Sequence, residues 1–278
     1  MKPADLEHLA KLLKDQSGLV VTPEKAYLLE NRLAPVARKW GLETIDALVA
    51  AMRSRADHKM IKDVVDAMTT NESLFFRDMK PFDNLRDLLL PELMKARAGS
   101  KRIRIWSAAC SSGQEPYSIA MLLTELGAKV AGWRFEIVAT DLSSDIIGRA
   151  RQGTYSQFEV QRGLPITMLV KYFAQEGDKW RISDKIRTMV QYREFNLLDH
   201  PRMLGQFDIV FCRNVLIYFD QPTKAKVLAG IADQMAPDGG LYLGGAETVL
   251  GVTDRFEPIP GQRGVYRISQ KAAVKATA

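Results

Sequence analysis

"RIRIWSAACSSGQEPYSIAMLL", residues 102–123, decides how the rest of the chain is read. Its first part ends in an apolar run and reads as a strand, and "EPYSIAMLLTELGA" (115–128) reads as the helix that follows. Between them lie the small residues "SAACSSG" (107–113), which let a backbone approach a ligand closely. The turn is not GxGxxG, so the dinucleotide fingerprint is missing. The same alternation recurs downstream. "RFEIVATD" (134–141), "FDIVFCRN" (207–214) and "GGLYLGGAE" (239–247) read as strands; "SSDIIGRARQG" (143–153) and "PTKAKVLAGIADQMAP" (222–237) read as helices. Strands alternating with helices predict a parallel, wound α/β sheet.

Upstream the texture is different. Residues 1–70 carry apolar residues at helical spacing in "LEHLAKLL" (6–13), "KAYLLENRLAPVARKW" (25–40) and "DALVAAM" (46–52), with no strand-like run. Thr22, Pro23 and Glu24 mark a helix start, Pro35 is expected to kink or shorten that helix, and Gly41 to cap its end. The expected organisation is an all-helical domain over 1–70, a linker and lid over 71–99, and a sheet-bearing domain over 100–278. Within the linker, "PFDNLRDLLLPELMKARAG" (81–99) reads as a helix broken at Pro91. The region 155–195 breaks the α/β rhythm and reads as an inserted β-subdomain. There "YSQFEVQRGLPITMLVKYF" (155–173) is at most a short helix, and "KWRISDKIRTMVQYREF" (179–195) alternates like short antiparallel strands. The tail "KAAVKATA" (271–278) reads as weakly ordered.

Composition narrows the classes. A length of 278 residues allows one large domain or two small ones. The net charge of +6 favours an anionic partner, but no RNP-like, KH-like or zinc-finger pattern accompanies it, so nucleic acid is not expected. No apolar run is long enough to span a bilayer, and the charged N-terminus is no signal peptide. A cytoplasmic chain without membrane insertion follows as the expectation. Cys110 and Cys212 form no CxxC pair, and His8, His58 and His200 are scattered, so reduced buried thiols and no metal are expected.

Ligands of wound sheets bind outside the carboxyl ends of the strands. Glu115 there is either a ligand for a cation or an acid that suits a helix start. Asp141 either accepts both hydroxyls of a ribose or caps the next helix, a task that Ser143 or Ser144 can perform instead. Arg213 and Asn214 follow a core strand directly and need polar partners. Tyr218, four residues on, is a core aromatic or a functional hydroxyl. Ahead of the sheet, "NESLFFR" (71–77) threads Asn71, Ser73 and Arg77 through apolar residues. Phe75 and Phe76 would anchor this segment and hold the three polar residues over the crevice as a lid.

Seven segments then occur in order: "TTNESLFFR", "WSAACSSGQEPYSIAM", "ATDLSSDIIGRARQGTY", "KYF", "EFNLLD", "GQFDIVFCRNVLIYFD" and "APDGGLYLGGAE". Together they closely resemble the CheR family, the chemotaxis receptor methyltransferases. The resemblance implies a class I S-adenosylmethionine-dependent methyltransferase fold, with an N-terminal helical domain and a small inserted antiparallel β-subdomain. It implies methyl transfer to the γ-carboxylate of glutamates on the cytoplasmic helices of chemoreceptors, giving methyl esters and S-adenosylhomocysteine. By motif position, Asn71, Ser73, Arg77, Ala109, Glu115, Asp141, Asn196, Leu197, Arg213 and Asn214 are implied to bind the cofactor. Arg77 and Tyr218 are implied to act on the reacting groups, Arg77 on either the cofactor carboxylate or the incoming glutamate. The family often has threonine at Ser73 and "GEE" where this chain has "GQE"; the change falls on Gln114 and leaves Glu115 intact. Arg32, Arg38, Lys39, Arg53 and Arg55 are implied to dock the glutamate-rich receptor. Some members tether a C-terminal receptor pentapeptide on the insert. Here the insert is shorter and lacks their glycine-rich loop, so a tether-independent, monomeric enzyme is expected. A nucleic-acid methyltransferase is disfavoured because "CRNVLIYF" is not of the N/D-P-P-Y/F type. A scaffold without turnover is disfavoured because Tyr218 is present.

Overall fold

The computed structural model describes residues 2–22, 26–54 and 57–269. The chain divides into two compact units, Met1–Thr70 with Tyr218–Thr223, and Asn71–Ile217 with Lys224–Ala278.

The first unit contains helices α1 (Pro3–Ser17), α2 (Ala26–Lys39), α3 (Ile45–Ser54) and α4 (His58–Met68). Each buries one stripe at helical spacing: Leu9 and Leu13; Leu29, Leu33 and Val36; Leu48, Val49 and Met52; Met60, Val64 and Met68. Asp57 caps α4 by accepting from the N–H groups of Lys59 and Met60. Gly41, at φ 69°, closes α2, and the Leu42 N–H reaches the Ala37 carbonyl at 2.9 Å. Pro35 does not shorten α2, which runs on to Lys39. An interior proline costs about 3 kcal/mol; burial of Leu33, Val36 and Ala37 on either side of it offsets that cost. Pro23 and Glu24 of the expected helix start lie outside the described residues, as does the tail. The segment Tyr218–Thr223 completes this unit: the Val20 N–H donates to the Tyr218 carbonyl at 2.9 Å, and Lys14 pairs with Asp220 at 2.7 Å.

The second unit opens with α5 (Lys80–Asn84) and α6 (Leu90–Ala96). Here the sequence reading needs correction: Pro91 does not break the helical run. A π-helical turn, Leu85–Leu89, joins the two helices. Pro91 has no N–H to offer the turn before it, and a widened turn lets the chain pass it while Leu85, Leu89, Leu90 and Leu93 stay buried. The α/β part follows as β1 (Arg102–Ala108), α7 (Gln114–Glu125), β2 (Arg134–Asp141) and α8 (Ser144–Gln152). An excursion then runs through β3 (Thr154–Ser156), α9 (Gln157–Gln161), α10 (Ile166–Tyr172), β4 (Phe173–Glu176) and β5 (Lys179–Ile182). After α11 (Asp184–Arg187) come β6 (Val190–Glu194), β7 (Phe207–Cys212), α12 (Gln221–Asp233), β8 (Met235–Leu243), β9 (Phe256–Pro258) and β10 (Val265–Ile268).

Among the described residues the main sheet has the order β6-β2-β1-β7-β8-β10-β9. From β6 to β8 it is parallel; β10 and β9 pair antiparallel at one end. From β1 the chain steps to β2 on one side, and β7 returns on the other. The crevice of such a sheet therefore opens at the carboxyl ends of β1 and β7. The insert forms a separate antiparallel sheet, β3-β5-β4. Val190–Glu194, read from sequence as part of the insert, is instead the parallel edge strand beside β2. Alternation signals a strand but not its partner. The region read as at most a short helix contains two, α9 and α10.

The segment before α5 is pinned by its aromatic residues. Phe75 meets Tyr155 of β3 edge-on at 4.9 Å and Phe173 of β4 at 5.5 Å; Phe76 meets Phe82 at 5.2 Å. Gly163, in the turn between α9 and α10, has φ +85°, and a Cβ there would lie 2.1 Å from the Phe75 carbonyl oxygen. Gly163→Ala is therefore expected to destabilise this unit by about 2 kcal/mol and shift the 71–79 segment. A thermal melt matching wild type would refute this.

Candidate active site

The carboxyl end of β1 leads into a turn with unusual backbone. Ala109, Ser111 and Gly113 have φ of 54°, 51° and 93°. The Cys110 N–H donates to the Thr140 carbonyl at 2.9 Å, and the Ser111 N–H donates to Asp141 Oδ2 at 2.8 Å, so the turn is laced to the end of β2. Ser111 Oγ donates to the Asn71 carbonyl at 2.7 Å and ties the turn to the 71–79 segment. Phe76 donates its N–H to Ser118 Oγ of α7 at 2.9 Å. Among the described residues, every non-glycine position of positive φ except Lys101 belongs to this neighbourhood: Phe76, Asp78, Met79, Ala109, Ser111 and Asn214. Strained backbone of this kind clusters where function holds it.

Asp141 ends β2, nine-tenths buried, and also accepts from the Ser143 N–H at 3.3 Å. Ser143 caps α8 through the Ile146 N–H, which leaves Asp141 off that cap. Burial pushes the Asp141 carboxyl above the usual carboxylate range, against the backbone N–H groups that favour its charge. The Phe195 N–H donates to the Asp141 carbonyl at 2.9 Å, so Asn196 and Leu197 emerge from β6 beside it; Asn196 Oδ1 accepts from the Leu198 N–H at 3.0 Å.

At the end of β7, Arg213 is buried among acids. Its Nη1 donates to Glu115 Oε2 at 3.0 Å; its Nη2 donates to Asp78 Oδ2 at 2.7 Å and to the Arg77 carbonyl at 3.0 Å. Glu115 Oε1 accepts from Ser107 Oγ at 2.8 Å. The partners that Arg213 needed are thus supplied from α7 and the 71–79 segment. The Arg77 guanidinium is half-buried and donates to the Glu72 carbonyl at 3.3 Å. Tyr218 clusters with the helical unit, whereas Arg213–Ile217 belong to the second unit.

The basic residues of the first unit differ in their engagements. Arg32 donates to the carbonyls of Met68 and Thr69 at 2.7 and 3.1 Å and to Thr70 Oγ1 at 3.1 Å, which makes it a brace between α2 and the end of α4. Exposed Lys39 pairs with Asp63 at 2.8 Å, and exposed Arg53 pairs with the buried Asp5 at 3.1 Å. Arg38 is exposed beside an open pocket of ≈ 410 Å³ that Glu30, Glu43 and Asp46 also line. Arg55 lies outside the described residues. Sequence reasoning passed over Asp78, whose pairing with Arg213 spans 135 positions, and Glu247. Glu247 carried a signal, since it too follows the carboxyl end of a core strand.

S-adenosylmethionine, the cofactor the resemblance implies, presents ribose hydroxyls, an ammonium and a carboxylate. The residues fit it. Asp141 has further acceptor capacity for hydroxyls, Glu115 keeps lone pairs for an ammonium, and Nε of Arg213 is a buried donor without a partner. Among the described residues no cluster suited to a metal ion occurs, and no helix is long and apolar enough to cross a membrane.

Comparison with known proteins finds relatives along most of the chain. Residues 71–265 match the family described as "CheR methyltransferase, SAM binding domain", and residues 4–69 match "CheR methyltransferase, all-alpha domain". Chemotaxis protein methyltransferase 1 of Pseudomonas aeruginosa is 41% identical over 271 residues, covering 95% of this chain and 97% of that protein. Chemotaxis protein methyltransferase Cher2 of Pseudomonas putida is 39% identical over 265 residues, covering 94% and 96%. The chemotaxis protein methyltransferase of Vibrio parahaemolyticus is 40% identical over 259 residues, covering 92% and 93%. Matched in its helical and its sheet-bearing parts alike, the chain belongs to the CheR methyltransferase family.

Proposed function

We propose that this chain is a cytoplasmic, monomeric protein-glutamate O-methyltransferase that esterifies glutamates on the cytoplasmic helices of chemoreceptors. The observation that carries the reading is the crevice itself, where Asp141, Glu115 and Arg213 converge below a lid segment in a chain of this family. When bound, S-adenosylmethionine supplies a methyl group on a sulfonium. Asp141 accepts the ribose hydroxyls, with Asn196 and Leu197 beside it. Glu115 holds the ammonium while Arg213 and Ser107 fix its carboxylate. Asn71, Ser73, Ala109 and Asn214 complete the cofactor wall.

A substrate glutamate has an ordinary pKa of about 4.3 and is ionised at neutral pH, so no general base is needed. The two thiols suit this: burial pushes both Cys110 and Cys212 well up, which leaves them unreactive. The chain's work is then to position and desolvate a carboxylate. Arg77, lightly held by one carbonyl, takes a carboxylate, and Tyr218 orients the substrate glutamate by its motif position. Arg38, Lys39 and Arg53 dock the receptor; the pair that exposed Lys39 makes with Asp63 is worth about 1 kcal/mol or less and exchanges readily. Arg32, as a brace, does not. The β4–β5 hairpin closes on Gly177 and Asp178 alone, which supports a reading without a peptide tether.

The test is labelled S-adenosylmethionine with receptor cytoplasmic fragments. Base-labile label on receptor glutamates is expected, at the same rate when the receptor's C-terminal peptide is removed. Arg77→Ala and Tyr218→Phe lower that rate about a hundredfold. Arg77→Ala raises KM for the cofactor if it serves the methionine carboxylate, and for the receptor if it serves the glutamate. Base-stable label, or wild-type rates in both variants, would overturn the assignment.

A further inference from the structure

Glu247 follows β8 in "GGAE" (244–247), and its side chain is buried. Four backbone N–H groups donate to its carboxylate. Gly244 and Asn214 reach Oε2 at 2.6 and 2.8 Å; Val215 and Ile217 reach Oε1 at 2.9 and 3.3 Å. Such bonds to an ionised acceptor are about twice as strong as neutral ones. They join two strand ends, because Cys212 of β7 lies in register with Leu243 of β8. Gly244 adds an independent observation. A Cβ there would stand 2.7 Å from Asn214 Nδ2, 2.8 Å from Glu247 Oε2 and 2.9 Å from the Asn214 nitrogen. Asn214 itself is held at φ 60°, a conformation that persists only where its surroundings enforce it.

We propose that Glu247 is a positioning residue for cofactor binding. Its carboxylate gathers the amides of Asn214, Val215 and Ile217, fixes Asn214 in the left-handed region, and so sets Arg213 and Asn214 in place before the cofactor arrives. This rests on reading the crevice as the S-adenosylmethionine site. The chemistry separates positioning from mere filling of space. Glutamine matches glutamate in shape, but its NH2 would face two N–H donors that it cannot satisfy. Glu247→Gln is therefore expected to harm binding as much as Glu247→Ala.

The experiment titrates wild type, E247Q and E247A with S-adenosylhomocysteine by calorimetry, and measures KM and kcat with receptor fragments. We expect both variants to bind about tenfold or more weakly, with KM for the cofactor raised more than kcat is lowered. E247Q within about twofold of wild type would overturn the proposal. Hydrogen exchange on the wild type decides independently of variant folding. The amides of Asn214, Val215 and Ile217 should exchange slowly although they lie in a loop; exchange at exposed-loop rates overturns the proposal. A wild type that binds no S-adenosylhomocysteine would count against the cofactor reading, while the exchange data would still judge the clamp.

Discussion

Arg213→Ala lowers the melting temperature by roughly 10 °C and abolishes methyl transfer. The side chain is 2% exposed and sits between Glu115, itself 11% exposed, and Asp78. Truncation leaves Glu115 charged, buried and held only by Ser107. Breaking a buried pair from one side costs about 3–5 kcal/mol, chiefly for the charge left behind. Asp78 adds little, because it is 56% exposed and water screens it. Arg213→Lys recovers less than half of the loss, since an ammonium cannot reproduce the fork that reaches Glu115, Asp78 and the Arg77 carbonyl together. The double variant Arg213→Met with Glu115→Gln removes both charges. It regains most of the stability without regaining activity. Calorimetric melts beside the receptor methylation assay check this; a stable, inactive Arg213→Ala would show that the network serves function alone.

Asp141→Asn separates the two properties in the opposite sense. Cofactor affinity falls about a hundredfold, because two charge-assisted bonds to hydroxyls become neutral ones. The ligand-free variant loses a few degrees at most, because its NH2 must face the N–H of Ser111 or Ser143, a loss that relief of the buried charge partly offsets. Burial raises the folded-state pKa of Asp141 above its unfolded value. The folded protein therefore holds more proton between those two values, and the contribution of Asp141 to stability falls as pH rises through that window. Above it the buried charge is a standing cost, which the neutral amide removes. Binding, in contrast, requires the carboxylate. Affinity for S-adenosylhomocysteine should drop as pH falls through the raised pKa in wild type, and this dependence should vanish in Asp141→Asn. A pH-independent wild-type affinity would contradict the role given to Asp141.

The α/β core was legible because its strands carry continuous apolar runs and its crevice residues stand directly after them. Ala108, Asp141 and Cys212 mark three such ends, and small residues open the turn at the first. What escaped depends on partners distant in the chain. Arg32 looks like a free surface cation until Met68, Thr69 and Thr70 are brought to it. Val190–Glu194 alternates as an antiparallel strand would, yet pairs in parallel with β2. Strands β9 and β10, three and four residues long, are too short to show a period. The π turn before Pro91 follows from neighbouring burial that no local pattern encodes. Glu247 was visible as an acid past a strand end, but its role lies in four N–H vectors set by backbone geometry.

The order of the main sheet has a consequence for aggregation. One border is β9, three residues that end in Pro258, and a proline offers no N–H to an incoming strand. The other is β6, whose Gln191, Arg193 and Glu194 are exposed, while Arg151 Nη2 covers the Tyr192 carbonyl at 2.8 Å. Short, charged or proline-tipped borders deny a second chain the template for edge-to-edge pairing. Among the described residues, both margins of the sheet thus present poor templates for strand addition by a second copy.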